Sequence, residues 1–483
     1  MRDQDRPGIH ILKSRNQEVG SKRGIPMARW SLLPLALLFP LLGWATEEGE
    51  TGREILGLVA TERGLYCLLL FIIAYILVMT EEFTELRKSK PVILAAAVIW
   101  AEIAYMAAHQ GIEPPELKRV IVENLADFGE LMLFLLVAMT YINAMANRNI
   151  FERLRSWLLS RQFGYRKLFW ITGIITFFLS AVADNLTSAL LIGTVVLAVG
   201  RDNPKFIALG LINLVVAANA GGAFSPFGDI TTLMVWQAGY AEFFDFFALF
   251  VPSVVNYLVP AVAMHFAIPD EKPVYEGEGL VPLRTGAYAI CGLFALTITI
   301  AVSFKQFLHL PPFLGMMLGW GILAIFGYWL WLQEEDLDGD ERFDIFNMVR
   351  DAEWDTLLFF FGVIFAVGGL AYIGYLDLLA RVLYGGLGPT TANIMVGIVS
   401  AVVDNIPIMF AVIEMEPPMD LFQWLLITLT TGTGGSLLSI GSAAGVALMG
   451  TSKGQYTFFS HLRWTPAIAA GYFAAIITHF LIN

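Results

Sequence analysis

The sequence predicts an all-α polytopic membrane protein made of two inverted five-crossing repeats, each with a re-entrant helical hairpin and a broken transmembrane helix. Three observations lead to this fold class. Hydrophobic residues make up 57% of the 483 residues and charged residues only 15%, with a mean hydropathy of +0.66, which is unlike a soluble domain. The segment LSAVADNL at 179–186 returns as VSAVVDNI at 399–406. Apolar segments of transmembrane length surround both copies in the same order.

The first 45 residues are predicted to be an N-terminal extension outside this fold. A polar stretch, 1–26, precedes a short apolar stretch that ends at Ala45 before an acidic segment. This layout predicts a secretory signal peptide that starts at Met27 and is cleaved after Ala45. The alternative is an uncleaved short first helix. We expect a protein of the inner (cytoplasmic) membrane with its mature N-terminus outside.

The first repeat is predicted over residues 64–268. An apolar stretch at 168–200 is interrupted by Asp184 and Asn185, and we interpret it as a re-entrant hairpin. A broken helix follows at 206–236, because glycines and a proline interrupt its apolar sequence. The remaining spans of this repeat are expected at about 64–80, 92–109, 128–146 and 246–268.

A cytoplasmic linker at 269–285 leads into the second repeat, predicted over residues 286–482. Its hairpin is expected at 391–413, interrupted at Asp404, and its broken helix at 421–450. Ordinary spans are expected at about 286–304, 313–332, 356–379 and 464–482. Five crossings are an odd number, so the two repeats are predicted to lie in opposite orientations.

The distribution of positive charge agrees with opposite orientations. Arg and Lys favour the cytoplasmic side of a membrane. With the mature N-terminus outside, most of them fall in cytoplasmic segments, among them Arg87, Lys88 and Lys90. The first hairpin would then enter the membrane from the cytoplasm and the second from outside.

The two hairpin tips and two broken helices are predicted to meet near the middle of the membrane. A charged side chain there costs about 2.5–3.5 kcal/mol or more, which makes it a functional-site hypothesis. The four segments contain no Arg or Lys, and their oxygen donors suit a hard cation. The candidate cation- and proton-binding residues are Asp184, Asn185, Thr187, Asn219, Asp229, Thr231, Thr232, Asp404, Asn405, Ser436, Ser439 and Ser442.

Asp184 and Asp404 are the predicted ligands of a transported cation. A carboxyl group removed from water holds its proton at higher pH than an exposed one, so a proton and a small cation would compete for the site. If the site crosses the membrane with either ligand but not empty, the result is cation/proton antiport.

Several candidate residues also have a structural alternative. The three aspartates can act as helix N-caps, and the three serines can serve close helix packing. Glu102, inside the second span, is either a proton-path residue or a salt-bridge residue of the scaffold.

Several of these motifs occur together in one known family. They are Ser-Ala-x-x-Asp-Asn at 180 and 400, NAGG at 219–222 with GDITT at 228–232, and TGGS at 433–436. From residue 64 to the end, the chain resembles NhaD-type sodium/proton antiporters of the ion transporter superfamily. The resemblance implies a hairpin-bearing transport domain that moves against a dimerising scaffold, and exchange of Na⁺ or Li⁺ for H⁺. Related anion symporters carry neutral Ser-Asn-Thr tips, so the aspartates here favour a cation substrate.

Two other functions remain open. One is an oxyanion or dicarboxylate carrier of the same superfamily. The other is an intramembrane aspartyl enzyme, which requires two carboxylates within about 3 Å. Cys67 and Cys291 lie in apolar runs and offer neither a disulfide framework nor a thiolate cluster. We predict a transporter rather than an enzyme, and we expect neither a cofactor nor a nucleic-acid partner. The expected partners are Na⁺, Li⁺, H⁺ and the lipid bilayer, and the expected assembly is a homodimer.

Overall fold

The computed structural model describes residues 58–483 except 85, 111–113, 162, 202, 274–278 and 335–341. Within these ranges every regular element is helical, and ten helices are long and apolar enough to cross a membrane. The chain is therefore a multi-pass all-α membrane protein, as predicted. The signal peptide predicted at 1–45 lies outside the described residues.

The described part of the first half contains ten α-helices. A 3₁₀ turn, Asp245–Leu249, leads into the last of them. Their bounds are α1 Glu62–Met79, α2 Glu81–Thr84, α3 Ser89–Gln110, α4 Pro114–Asn147, α5 Ile150–Ser160, α6 Tyr165–Ala183, α7 Asn185–Val199, α8 Pro204–Gly222, α9 Ile230–Gln237 and α10 Phe250–His265.

The described part of the second half contains eleven α-helices. A π-helical turn, Arg381–Gly386, follows the fifth of them. Their bounds are α11 Ala287–Leu308, α12 Pro312–Gln333, α13 Ile345–Arg350, α14 Trp354–Ile373, α15 Tyr375–Ala380, α16 Pro389–Val399, α17 Asn405–Glu414, α18 Leu421–Gly434, α19 Ala443–Thr451, α20 Phe458–Leu462 and α21 Thr465–Ile482.

The long helices pack in two groups. In the first, which we call the span group, α1, α3 and α4 pack with α11, α12 and α14. In the second, which we call the hairpin group because it holds both segments that the sequence predicts as hairpins, α6–α10 pack with α16–α21. Contacts between α14 and α17 join the two groups. Helices α8 and α14 are buried on nearly all sides, as expected for sequences that are apolar around the whole helix.

The helices of the hairpin group are interrupted at four places. Only Asp184 separates α6 from α7, and residues 400–404 separate α16 from α17. Residues 223–229 separate α8 from α9, and residues 435–442 separate α18 from α19. The candidate site residues lie in these short non-helical segments or in the adjoining turn of a helix, where backbone groups lack a partner within the helix.

Matching serines connect each hairpin to its neighbouring broken helix. Ser180 Oγ donates a hydrogen bond to the carbonyl oxygen of Ala218 at 2.6 Å. Ser400 Oγ donates to the carbonyl oxygen of Thr431 at 2.9 Å. Both serines are completely buried. The same residue type therefore makes the same contact in both halves of the chain.

Matching glycines bring the same helices into close contact. A Cβ atom on Gly221 would collide with the backbone carbonyl of Phe177, and one on Gly434 would collide with that of Gly397. Small residues allow such close approach of helix backbones in membranes. The glycines thus hold each broken helix against its hairpin.

Candidate cation site

The carboxylate of Asp229, at the N-terminus of α9, is the meeting point of the two halves. Its Oδ2 accepts hydrogen bonds from Asn185 Nδ2 at 3.2 Å and from Asn405 Nδ2 at 3.0 Å. Its Oδ1 accepts from the backbone N–H of Thr231 at 3.0 Å, so Asp229 also caps α9. Asp229 and Asn405 are each only 3% exposed and Thr231 is fully buried. One buried carboxylate therefore joins both hairpin tips to the first broken helix.

Asn219 extends these contacts to the second broken helix. Its Oδ1 accepts from Asn185 Nδ2 at 3.1 Å, and its own Nδ2 donates to Ser442 Oγ at 3.1 Å. Ser442 in turn caps α19 by accepting the backbone N–H of Gly445 at 3.3 Å. The amide–carboxylate network, as we call it, consists of Asn185, Asn219, Asp229, Asn405 and Ser442.

Asp184 is the N-cap of α7. Its Oδ1 accepts the backbone N–H of Thr187 at 2.9 Å, and its Oδ2 accepts the hydroxyl of Thr187 at 2.7 Å. Its φ of 56° is uncommon for a residue other than glycine and is found where surrounding structure enforces it. The N-cap alternative therefore applies to Asp184, and both of its oxygens have a donor.

Asp404 holds the equivalent place before α17 but makes no capping hydrogen bond. The third residue after it is Pro407, which has no N–H to donate, where the first hairpin has Thr187. The Oδ1 atom of Asp404 is buried without a hydrogen-bond partner among the described residues. Its Oδ2 lies 3.8 Å from Lys88 Nζ. The N-cap alternative therefore does not apply to Asp404.

Two cavities border the amide–carboxylate network. The first, of about 50 Å³, is lined by Asp184, Thr187 and three network residues, Asn185, Asp229 and Asn405. The second, of about 230 Å³, is lined by Asp404, Ser442 and Glu81. Lys88 lines both cavities.

Three of the remaining candidates line neither cavity. Thr232 lies in the first turn of α9, and Ser436 and Ser439 lie between α18 and α19. Thr232 Oγ1 donates to the carbonyl oxygen of Ser225 at 2.7 Å, and Ser436 Oγ donates to that of Thr433 at 2.6 Å. Their hydroxyl groups stabilise the unwound backbone. Ser439 Oγ is buried and has no hydrogen-bond partner among the described residues.

Glu102 lies apart from the network and lines neither cavity. Its Oε2 lies 2.5 Å from Arg63 Nη1, and the Arg63 guanidinium lies 3.9 Å from the centre of the Tyr105 ring. These contacts favour the salt-bridge alternative for Glu102 over a place on the proton path.

The three aspartates do not form one compact ligand cluster. In the part of the chain that the structure describes, no group of three or more His, Cys, Asp and Glu side chains is close enough to hold a metal ion. A transported cation would therefore need amide and hydroxyl oxygens beside the carboxylates, which hard cations accept.

Two charged residues that the sequence analysis does not place in the site lie at its edge. Lys88 and Glu353 both line the first cavity. Partial burial raises the pKa of the nearby Glu81 carboxyl above its ordinary value, and the Lys88 ammonium opposes that rise. The sequence assigns Lys88 only to a cytoplasmic segment, because its approach to Asp404 depends on the packing of α3 against α14.

Comparisons with known proteins define the family. A profile described as citrate transporter matches residues 75–432. The Na⁺/H⁺ antiporter NhaD of Vibrio cholerae is 51% identical over 476 residues, covering 94% of this chain and 98% of the relative. That of Halomonas elongata is 52% identical over 480 residues, covering 94% and 96%. The chain belongs to the NhaD family of Na⁺/H⁺ antiporters.

The NhaD resemblance drawn from the hairpin and glycine motifs is thereby confirmed. A more distant relative is sodium/proton antiporter 1 of Arabidopsis thaliana, 32% identical over 439 residues, covering 88% of this chain and 73% of the relative. These NhaD relatives cover nearly the whole of this chain.

Proposed function

We propose that this protein is a secondary transporter that exchanges Na⁺ for H⁺, and that Li⁺ can replace Na⁺. The observation that carries the proposal is the buried Asp229 carboxylate, bound by the tip asparagines of both hairpins and flanked by Asp184 and Asp404. The NhaD relatives, 51–52% identical over almost the full length, are Na⁺/H⁺ antiporters by name.

Asp184 and Asp404 are the proposed carboxylate ligands of Na⁺ and the sites of protonation. The amide nitrogens of Asn185 and Asn405 donate to Asp229, so their amide oxygens point away from it and can serve as neutral ligands. Asp404 Oδ1, which is buried and has no hydrogen-bond partner among the described residues, is the proposed contact for a bound Na⁺. A proton on the same carboxylates would exclude the cation, because ligands must be deprotonated to bind metal.

The proposed architecture is a pair of inverted repeats, 64–268 and 286–482, in the inner membrane, with the mature N-terminus outside. The equivalent contacts of Ser180 and Ser400 support a duplicated unit. We propose that the hairpin group is the moving transport domain and that the span group is the scaffold, which forms a homodimer. Motion of one group against the other would carry the loaded site across the membrane.

An anion carrier is the second candidate, because the matching family profile is described as a citrate transporter. An anion such as citrate in the first cavity would meet the carboxylates of Asp184 and Asp229, and like charges repel strongly in a medium of low dielectric constant. The site therefore supports a cation better. An aspartyl enzyme has less support, since Asp184 and Asp404 contact different partners, Thr187 and Lys88.

The test is an exchange assay in inverted membrane vesicles that hold an internal acid pH, reported by a fluorescent dye. We expect Na⁺ and Li⁺ to dissipate the pH gradient. Between about pH 9.5 and 6.5 the Na⁺ half-saturation concentration should rise as pH falls, approaching about tenfold per pH unit below the site pKa if one proton is displaced. A flat profile would contradict direct competition, and citrate uptake without any Na⁺ response would favour the anion carrier.

A further inference from the structure

Lys88 brings a positive charge from the span group to the hairpin group. It immediately precedes α3, and its Nζ lies 3.8 Å from Asp404 Oδ2, with side chains only 13% and 14% exposed. The same Nζ lies 4.7 Å from the centre of the Phe359 ring of α14. Because α3 and α14 belong to the span group, and Asp404 lies between α16 and α17, this ion pair connects the two groups of helices.

The backbone at Lys88 is anchored, and its side chain is long enough to move. Ser89 Oγ donates to Asp355 Oδ1 at 2.5 Å, which fixes the start of α3 against α14. Lys88 and Glu81 both line the 230 Å³ cavity beside Asp404, and Glu81 interacts electrostatically with Lys88. A lysine carries its charge on a flexible four-carbon stem. The shared cavity and the flexible stem allow the ammonium to shift from Asp404 toward Glu81.

Asp404 needs a counter-charge more than Asp184 does. Asp184 accepts two hydrogen bonds from Thr187, whereas Asp404 receives no capping hydrogen bond and has Lys88 as its ion-pair partner. A buried carboxylate without donors or a cation is unfavourable. The Lys88 ammonium supplies a positive charge where an arriving Na⁺ would supply another.

We propose that Lys88 is a tethered counter-cation of Asp404 that Na⁺ must displace. This inference rests on the Na⁺/H⁺ exchange proposed above. In the Na⁺-free protein, the ammonium pairs with Asp404 Oδ2 and stabilises the empty site. Na⁺ binds the carboxylate through Oδ1, which has no hydrogen-bond partner in the described part of the chain, and the ammonium moves toward Glu81. Lys88 acts on the site through Asp404 and is therefore a positioning residue.

The test is the Lys88→Met variant, which keeps the apolar stem and removes the charge. Without a competing ammonium, we expect the Na⁺ half-saturation concentration to fall about two- to fivefold at a fixed pH near 9, the size expected for a partly exposed ion pair. The maximal rate should stay equal or fall. Lys88→Arg keeps the charge and should stay close to the unsubstituted protein. Lys90→Met is the matched control, because Lys90 is an exposed lysine two residues away.

Chemical restoration of the charge separates competition from a packing effect. In Lys88→Cys, 2-aminoethyl methanethiosulfonate attaches a Lys-like ammonium, whereas methyl methanethiosulfonate attaches a neutral group. We expect only the first reagent to return the half-saturation concentration to the unsubstituted value. The unsubstituted protein, which contains Cys67 and Cys291, is treated in parallel. Each Cys sample is compared with itself before and after reaction, so its expression level does not affect the result.

The possible outcomes are distinguishable. A Lys88→Met protein that matches Lys90→Met, or binds Na⁺ more weakly, overturns the counter-cation role, as does equal rescue by both reagents. If the unsubstituted protein itself gives no Na⁺ response in the same vesicles, the exchange function fails instead.

Discussion

The two hairpin tips share the sequence Asp-Asn and differ in what binds the aspartate. Thr187 provides two hydrogen bonds to Asp184, whereas Pro407, at the same distance from Asp404, cannot donate one. Asp184 is consequently a helix cap, while Asp404 pairs with Lys88 and keeps a buried oxygen without a hydrogen-bond partner among the residues that the structure describes. The third residue after the aspartate thus decides whether that aspartate also caps the helix that follows it.

The two broken helices differ in a similar way. Asp229 and Ser442 hold equivalent places, and each caps the helix that follows it. Only Asp229 adds a negative charge. Asn219 of the first broken helix corresponds to Gly432 of the second, and a Cβ on Gly432 would lie 3.7 Å from Asp229 Oδ2. The two broken helices therefore have matching caps, but the cap of the first carries a negative charge and the cap of the second does not.

The largest effects are expected at the tip aspartates. Asn caps helices as well as Asp does, so Asp184→Asn and Asp404→Asn preserve the local helix and remove charge and titration. We expect both variants to insert normally and to lose Na⁺-driven exchange to the vesicle background. The matched control is Asp344→Asn, at the N-cap of α13 and outside both cavities. Near-normal exchange by both tip variants would contradict the mechanism in which Asp184 and Asp404 bind Na⁺ and H⁺.

The next largest effect tests the asymmetry between the broken helices. Asp229→Ser gives the first broken helix the capping residue of the second, so α9 should keep a cap while the network loses its charge. Opposite charges about 4 Å apart interact by on the order of 4 kcal/mol at an effective dielectric constant of 20. Even partial loss of this attraction between the Asp229 carboxylate and Na⁺ should raise the Na⁺ half-saturation concentration at least about tenfold.

A control in the second half completes this comparison. Ser442→Ala removes a cap but no charge, and it should raise the Na⁺ half-saturation concentration less than Asp229→Ser does. If the two variants have equal effects on exchange, the charge of Asp229 is not what distinguishes the two halves.

The sequence predicts much of the fold because apolar length and helix-breaking residues are local properties. The interruption at Asp184 and the glycine-rich segment after α8 are both visible in the chain itself. The main difference concerns α4, which begins at Pro114 rather than near residue 128. Hydropathy detects only the apolar part of a span and therefore misses the polar first turns of α4. Pro114 could have indicated the start of α4, because Pro is typical of the first position of a helix.

The site was less predictable, because its contacts join segments far apart in sequence. The Asp and Asn residues could be chosen from their polarity within apolar segments, but the role of Asp229 as the acceptor for both tip asparagines depends on tertiary packing. Lys88 and Asp404 are 316 positions apart in the chain, and no pattern in the sequence predicts that they lie close together. The contrast between Thr187 and Pro407 is visible in the sequence, but its effect on the two aspartates is seen only when the N-termini of α7 and α17 are compared.

The smallest predicted effect tests that contrast directly. Pro407→Thr supplies the second hairpin with the backbone N–H and hydroxyl that hold Asp184 in the first. A helix N-cap is worth about 1 kcal/mol, so we expect Asp404 to be drawn toward the α17 terminus and the Na⁺ half-saturation concentration to rise roughly fivefold. Pro407→Ala restores the N–H without the hydroxyl and should give a smaller increase. Vesicle titrations at one pH compare the two variants with the unsubstituted protein. An unchanged half-saturation concentration in Pro407→Thr would mean that the missing N–H is not what keeps Asp404 available to the cation.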